Sequence, residues 1–150
     1  PVPGGPLFDV GYATDVPGIF AAGNVVHVYD LVDDVSEAAR IAGRSAGRYV
    51  SQAPSDRGPV IRLKAGENVR AVVPQSLHLS ALEEGPVVLQ FRVRQPVEAP
   101  VRAEVRLGET VLVSRRYRYV RPAEMVALTL QPRVAGEIAD ARELSVHVLE

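Results

Sequence analysis

The chain contains no cysteine, which excludes disulfide staples, thiolate zinc sites and a CxxC redox pair within these 150 residues. It contains no tryptophan, and aromatic residues make up 5%. That composition argues against a carbohydrate-binding sandwich, because sugar platforms need exposed rings. Charge of one sign is also missing. The formal net charge of −1 gives no long-range pull toward nucleic acid or anionic lipid. No stretch approaches the roughly 20 apolar residues of a membrane span. No positively charged, apolar-cored leader opens the chain, so the expected compartment is the cytoplasm. Lys64 is the single lysine and Met125 the single methionine. The first reflects composition bias toward arginine. The second leaves two readings open, a trimmed initiator before Pro1 or a chain cut from something longer.

What is present describes a soluble globular protein. Hydrophobic residues make up 47% and charged residues 23%, enough for one ordinary domain or two small ones. A chain of this length buries roughly two thirds of its unfolded surface. Composition shifts at Ser51-Gln52-Ala53-Pro54-Ser55-Asp56-Arg57-Gly58-Pro59, where two prolines, a glycine and small polar residues read as a boundary. The expected organisation is an N-terminal unit over 1–53, a linker at 54–58 and a second unit over 59–150.

Before the boundary, Gly18-Ile19-Phe20-Ala21-Ala22-Gly23 is apolar on successive residues, as in a strand buried on both faces. A helix follows. Asp30 is its expected N-cap, with Asp33 and Asp34 in the first turn where the dipole favours carboxylates. Leu31, Val35, Ala38, Ala42, Ala46 and Tyr49 recur at three- and four-residue spacing along one face. Gly43 and Gly47 each cost about 1 kcal/mol against Ala in a helix interior, which predicts close packing there.

After the boundary the period becomes two. Val87-Leu89-Phe91-Val93, Val101-Ala103-Val105-Leu107, Val126-Leu128-Leu130 and Leu144-Val146-Val148 each alternate with polar or smaller neighbours. Short alternating strands between regular turns predict an immunoglobulin- or fibronectin-like β-sandwich. Arg115, Arg116, Arg118 and Arg121, interleaved with Tyr117 and Tyr119, form one local basic cluster. Residues 59–150 carry 13 basic against 11 acidic side chains, too balanced for a nucleic-acid footprint. The cluster reads as a solvated strand face paired with Glu104, Glu109 and Glu124, or as a docking surface. His147 alternates away from the apolar face and is expected to be exposed. His78 has no metal-type partner nearby in sequence, and three scattered histidines argue against a zinc site.

The stretch Thr14-Asp15-Val16-Pro17-Gly18-Ile19-Phe20-Ala21-Ala22-Gly23-Asn24, with a helix rich in small residues behind it, resembles the second FAD-contacting motif of the pyridine-nucleotide-disulfide oxidoreductases. That superfamily includes the thioredoxin reductases. Its pattern T-x-x-P-G-[IV]-[FY]-A-x-G-D is matched at Thr14, Pro17, Gly18, Ile19, Phe20, Ala21 and Gly23, while Asn24 stands at the aspartate position. The continuation through His27 to Asp33, with Gly66-Glu67-Asn68-Val69-Arg70 and Val73-Pro74-Gln75 further on, looks like a branch with an extra C-terminal β domain.

The resemblance implies an α+β fragment, in which the last strand and helix of a Rossmann-like FAD domain precede the sandwich. It implies that Gly23 lets the chain approach the cofactor and that Asn24 bonds a ribityl hydroxyl. Amides near Leu31 and Val32 would face the flavin pyrimidine ring at a helix N-terminus. NAD(P)H is the implied electron donor. His27 is a candidate flavin-edge contact or a structural histidine; Tyr29 and Asp30 are similar. No catalytic residue is nominated and no metal is expected.

No GxGxxG occurs, so the ADP- and NAD-binding glycine loops are not in this chain. The expectation is a parent oxidoreductase whose isolated C-terminal part is inactive, with the remainder of the flavoprotein, a homodimer mate or a partner subunit docking on it. The exposed edge at Ile19-Phe20-Ala21-Ala22 would then be disordered, packed on the sandwich or exchanged between chains. The alternative is a standalone, non-enzymatic β-sandwich that binds a protein partner.

Overall fold

The computed structural model describes residues 5–51 and 58–150. It is an α+β fold, mostly sheet, with one long helix, α1 (Val32–Ser51). The strands are β1 (Val60–Ala65), β2 (Val69–Val73), β3 (Ser76–His78), β4 (Val87–Val93), β5 (Val101–Leu107), β6 (Thr110–Tyr117), β7 (Val126–Leu130) and β8 (Glu143–Leu149). A short helix, α2 (Leu79–Glu84), links β3 to β4. The linker expected at 54–58 lies outside the described residues except for Gly58. Helix gives way to strand across it. No helix among the described residues is long and apolar enough to cross a membrane.

Two sheets form, a five-stranded one in the order β3-β1-β8-β5-β6 and a three-stranded one in the order β2-β4-β7. All pairings are antiparallel except β1 with β8. The expected alternation holds in β4, where Val87, Leu89, Phe91 and Val93 are all buried. It holds equally in β7 and β8. These side chains meet Ile61, Val105, Leu82 and Ile138 in one contiguous core that draws on both sheets. Burying such apolar area, at about 25 cal/mol per Å², is the main force that holds the sheets together.

Strand β5 breaks the alternation at Glu104, buried on a face expected to be polar and exposed. Arg106 donates to its Oε2 from Nε at 2.9 Å and from Nη2 at 2.7 Å, and Ser114 donates to Oε1 at 3.3 Å. A buried carboxylate needs such partners. The basic cluster is not paired with Glu104 as expected. Of its arginines, Arg121 forms an ion pair with Glu98 at 2.8 Å and with Glu124 at 3.5 Å. His147 is half-buried instead of exposed. Its Nδ1 accepts the Glu67 amide at 3.1 Å, and Nε2 lies 2.9 Å from the Ser145 hydroxyl. The turn before it requires glycine, because a Cβ on Gly66 would sit 2.3 Å from the His147 ring.

The N-terminal segment departs furthest from expectation. The run 18–23 is not a regular strand: Phe20 bridges Ala13 antiparallel, and Ile19 is 52% exposed. A doubly buried strand needs strand neighbours on both sides, and among the described residues only 12–14 lie alongside. Helix α1 starts at Val32, and Asp30 does not cap it. The Asp30 carboxylate is drawn away to Arg92 on β4 and to the Met125 amide, which donates at 3.0 Å. The expected helix face is buried only at its centre, at Ala38 and Ala42, while Leu31 and Tyr49 at its ends are exposed. Gly43 and Gly47 face open space, and a Cβ at either position would have no neighbour within 4 Å, contrary to the expected close packing.

Candidate functional site

The Thr-x-x-Pro-Gly sequence folds into a tight turn. Thr14 donates its amide to Ile19 O at 2.9 Å, and Ile19 donates back to Val16 O at 3.1 Å. The Thr14 hydroxyl accepts the Val16 amide at 3.2 Å. Gly18 (φ 81°) and Gly23 (φ 76°) both occupy the left-handed region that disfavours a side chain. Gly23 opens a 3-10 turn over Gly23–Val25, and its carbonyl accepts from Val26 at 3.0 Å and His27 at 3.3 Å.

This turn sits at the head of α1. A Cβ on Gly23 would lie 3.6 Å from Val35 Cγ1, in the first turn of the helix. The four sequence-predicted contacts therefore gather at one end of the helix. Gly23 is buried, Asn24 is exposed, and Leu31 and Val32 present exposed side chains, Val32 at 76%. Around them Val16, Ile19, Val25 and Val28 are also exposed. These exposed apolar side chains lie close in sequence to the motif and to the start of α1.

Behind the turn, His27 is buried at 7% exposure, with its ring edge-on to Tyr29 at 5.3 Å. Its Nε2 has no hydrogen-bond partner among the described residues. Burial holds the His27 pKa below the ordinary histidine value, the Arg92 charge adds to this, and Asp30 opposes it. Desolvation would raise the Asp30 carboxyl, but the Arg92 hydrogen bond, the Met125 amide and the Arg92 charge outweigh it and leave the pKa lowered.

On the inner side of α1 an open cleft of about 610 Å³ separates the helix from the sheet, lined in part by Phe8, Tyr12, Tyr29, Ala38, Pro74 and Gln90. The Tyr12 and Tyr29 hydroxyls meet at 2.9 Å. Burial raises both phenol pKa values, so the pair is neutral at ordinary pH. Asp34, Glu37 and Glu84 lie along the same cleft with Arg48.

The N-terminal segment is held to the sheet by a small apolar cluster of Phe8, Val26 and Val73 and by polar contacts. Phe8 donates its amide to Gln75 Oε1 at 3.0 Å and accepts the Gln75 amide at 3.1 Å. Asp9 is buried and bridges Ser76 in parallel, and its carboxylate lies 3.7 Å from His78 Nε2. Arg92 donates to Val28 O at 3.1 Å as well as to Asp30. These partners lie 62 to 69 residues apart, and no spacing in the sequence signals them. No group of three or more metal-type side chains occurs among the described residues. No family model, curated protein or solved structure matches the chain.

Proposed function

We propose that this chain is the C-terminal part of an FAD-dependent oxidoreductase of the pyridine-nucleotide-disulfide type. In this reading residues 1–53 complete a Rossmann-like flavin domain. Residues 59–150 form an immunoglobulin- or fibronectin-like β-sandwich that docks or dimerises in the cytoplasm. The carrying observation is that the segment bearing the flavin motif also bears the uncovered apolar surface. Ile19, Val25, Val28, Leu31 and Val32 are side chains that the body of a flavin domain would cover.

The residues present fit the cofactor. Gly23, with its left-handed backbone, would allow close approach, the exposed Asn24 side chain is free to bond a ribityl hydroxyl, and the first amides of α1 near Leu31 and Val32 would face the pyrimidine ring. The chemistry that FAD would supply when held there is electron transfer between NAD(P)H and an acceptor. The residues of this chain bind and orient; none is assigned a proton-transfer step, and the chain alone is inactive.

The test is a Gly23→Val substitution in the native gene product, with flavin content read from visible absorbance. The reading predicts at least about a tenfold loss of bound flavin at fixed FAD concentration, the equivalent of about 1.4 kcal/mol of binding. A valine at φ 76° is strained, so melting is recorded alongside, and the flavin loss must exceed what the drop in stability accounts for. Full flavin content in the variant contradicts it.

One observation favours a second reading. The Phe8–Gln75 and Asp30–Arg92 contacts make the N-terminal segment part of the sheet unit. A standalone protein-binding module would be built in this way, and it would be colourless.

A further inference from the structure

The five-stranded sheet ends differently on its two sides. Strand β3 has three residues, and Asp9 bridges Ser76 beside it. Strand β6 at the other side has eight residues, and among the described residues no strand pairs with its outer edge. Its side chains are mostly exposed. An open edge of this length presents a row of backbone donors and acceptors that a further strand can use.

The edge is also basic and not neutralised. Among the described residues Arg116 and Arg118 form no ion pair, and Arg115 lies over the Tyr117 ring at 5.2 Å. Arg116 lies directly across from Arg102 in the β5 register, a like-charge pair that opposes pairing. The nearby Glu104 carboxylate is shared between Arg106 at 2.7 Å and Arg102 at 4.0 Å within β5, and among the described residues no ion pair joins it to Arg116.

We propose that the outer edge of β6 docks an acidic, extended segment of a partner protein, which adds to the sheet as a sixth strand. Charge selects the occupant. A second copy of β6 would bring two arginine clusters onto one short ladder, whereas alternating carboxylates would neutralise them. Backbone pairing favours a peptide over a nucleic acid, which has no matching row of amides. The proposal does not rest on the flavin reading.

The test is fluorescence anisotropy of the 150-residue chain with a labelled heptapeptide alternating glutamate with threonine and valine. Controls are the same peptide N-methylated at alternate amides, its lysine counterpart, and a labelled single-stranded oligonucleotide. The acidic peptide should bind in a salt-dependent way, and N-methylation should weaken it by about tenfold or more. Combined Arg115→Glu, Arg116→Glu and Arg118→Glu substitution should abolish acidic-peptide binding and admit the lysine peptide. Arg116→Glu alone, at an exposed position, serves if the triple variant fails to fold, with a several-fold loss expected. Equal binding of the N-methylated peptide, tighter binding of the oligonucleotide, or no effect of charge reversal would each overturn the proposal. So would an absence of acidic-peptide binding.

Discussion

Residues 58–150 close a core, while residues 5–51 do not. In the first region the large apolar side chains left exposed are Val60, Val88, Val111 and Tyr119, scattered singly. In the second, Leu7, Val16, Ile19, Val25, Val28, Leu31, Val32, Tyr49 and Val50 are exposed, and only Phe8, Val26, Ala38 and Ala42 are buried hydrophobics. The sheet region uses its apolar residues on itself. The turn-and-helix region presents most of them outward, and a small cluster of Phe8, Val26 and Val73 holds it to the sheet together with polar contacts.

The largest expected effect separates the two regions by stability. Phe91→Ala, in the centre of the core, should destabilise the chain by about 3–5 kcal/mol in urea unfolding. Ile19→Ser or Val32→Ser should change it by no more than about 0.5 kcal/mol. If the exposed pair costs as much as Phe91, the comparison is wrong. Next, Asp30→Ala removes the charged tie between the regions; Asp30 is exposed, so solvent screening holds the expected cost to about 1 kcal/mol. Hydrogen exchange should then rise first in α1.

The pH dependence sharpens the same junction. His27 has its folded pKa lowered, so the native state binds fewer protons than the unfolded one just below the ordinary histidine value of about 6.5. Its contribution is present above that pH and is lost as pH falls toward the folded pKa. Asp30, also lowered, adds a second loss that begins below about pH 4. Unfolding free energy measured from pH 7 down to pH 5 should fall, and His27→Phe should flatten that slope. A slope unchanged by the substitution contradicts the buried, neutral His27. The smallest effect has the opposite sign. Gly43→Ala, facing open space, should stabilise the isolated chain by about 0.5–1 kcal/mol.

The legible parts of the fold are those with a local period. Val87-Leu89-Phe91-Val93 alternates because one face meets the core, and the structure buries those four residues. Asp33 and Asp34 sit in the first turn of α1 as their charge predicts. Asp30 departs from its expected cap because a local capping rule competes with Arg92, 62 residues away, and the charged partner wins. Glu104 departs from expectation because strand alternation says nothing about the arginine and serine that cover it. The Gly18–Gly23 run looks like a buried strand because its composition suits a sheet, and the described residues place only the Ala13–Phe20 bridge beside it. At the candidate site, Gly23, Asn24, Leu31 and Val32 are legible as a motif and gather at the head of α1. The Tyr12–Tyr29 pair and the Phe8–Gln75 stitch have no spacing to announce them.

The central claim is that residues 5–51 belong to a flavin domain, and the most direct measurement is on the native gene product recovered from source cells. Its intact mass and visible absorbance should be recorded together. The account predicts a polypeptide several times heavier than 16.2 kDa with bound flavin absorbance. A colourless product of 16.2 kDa would contradict it.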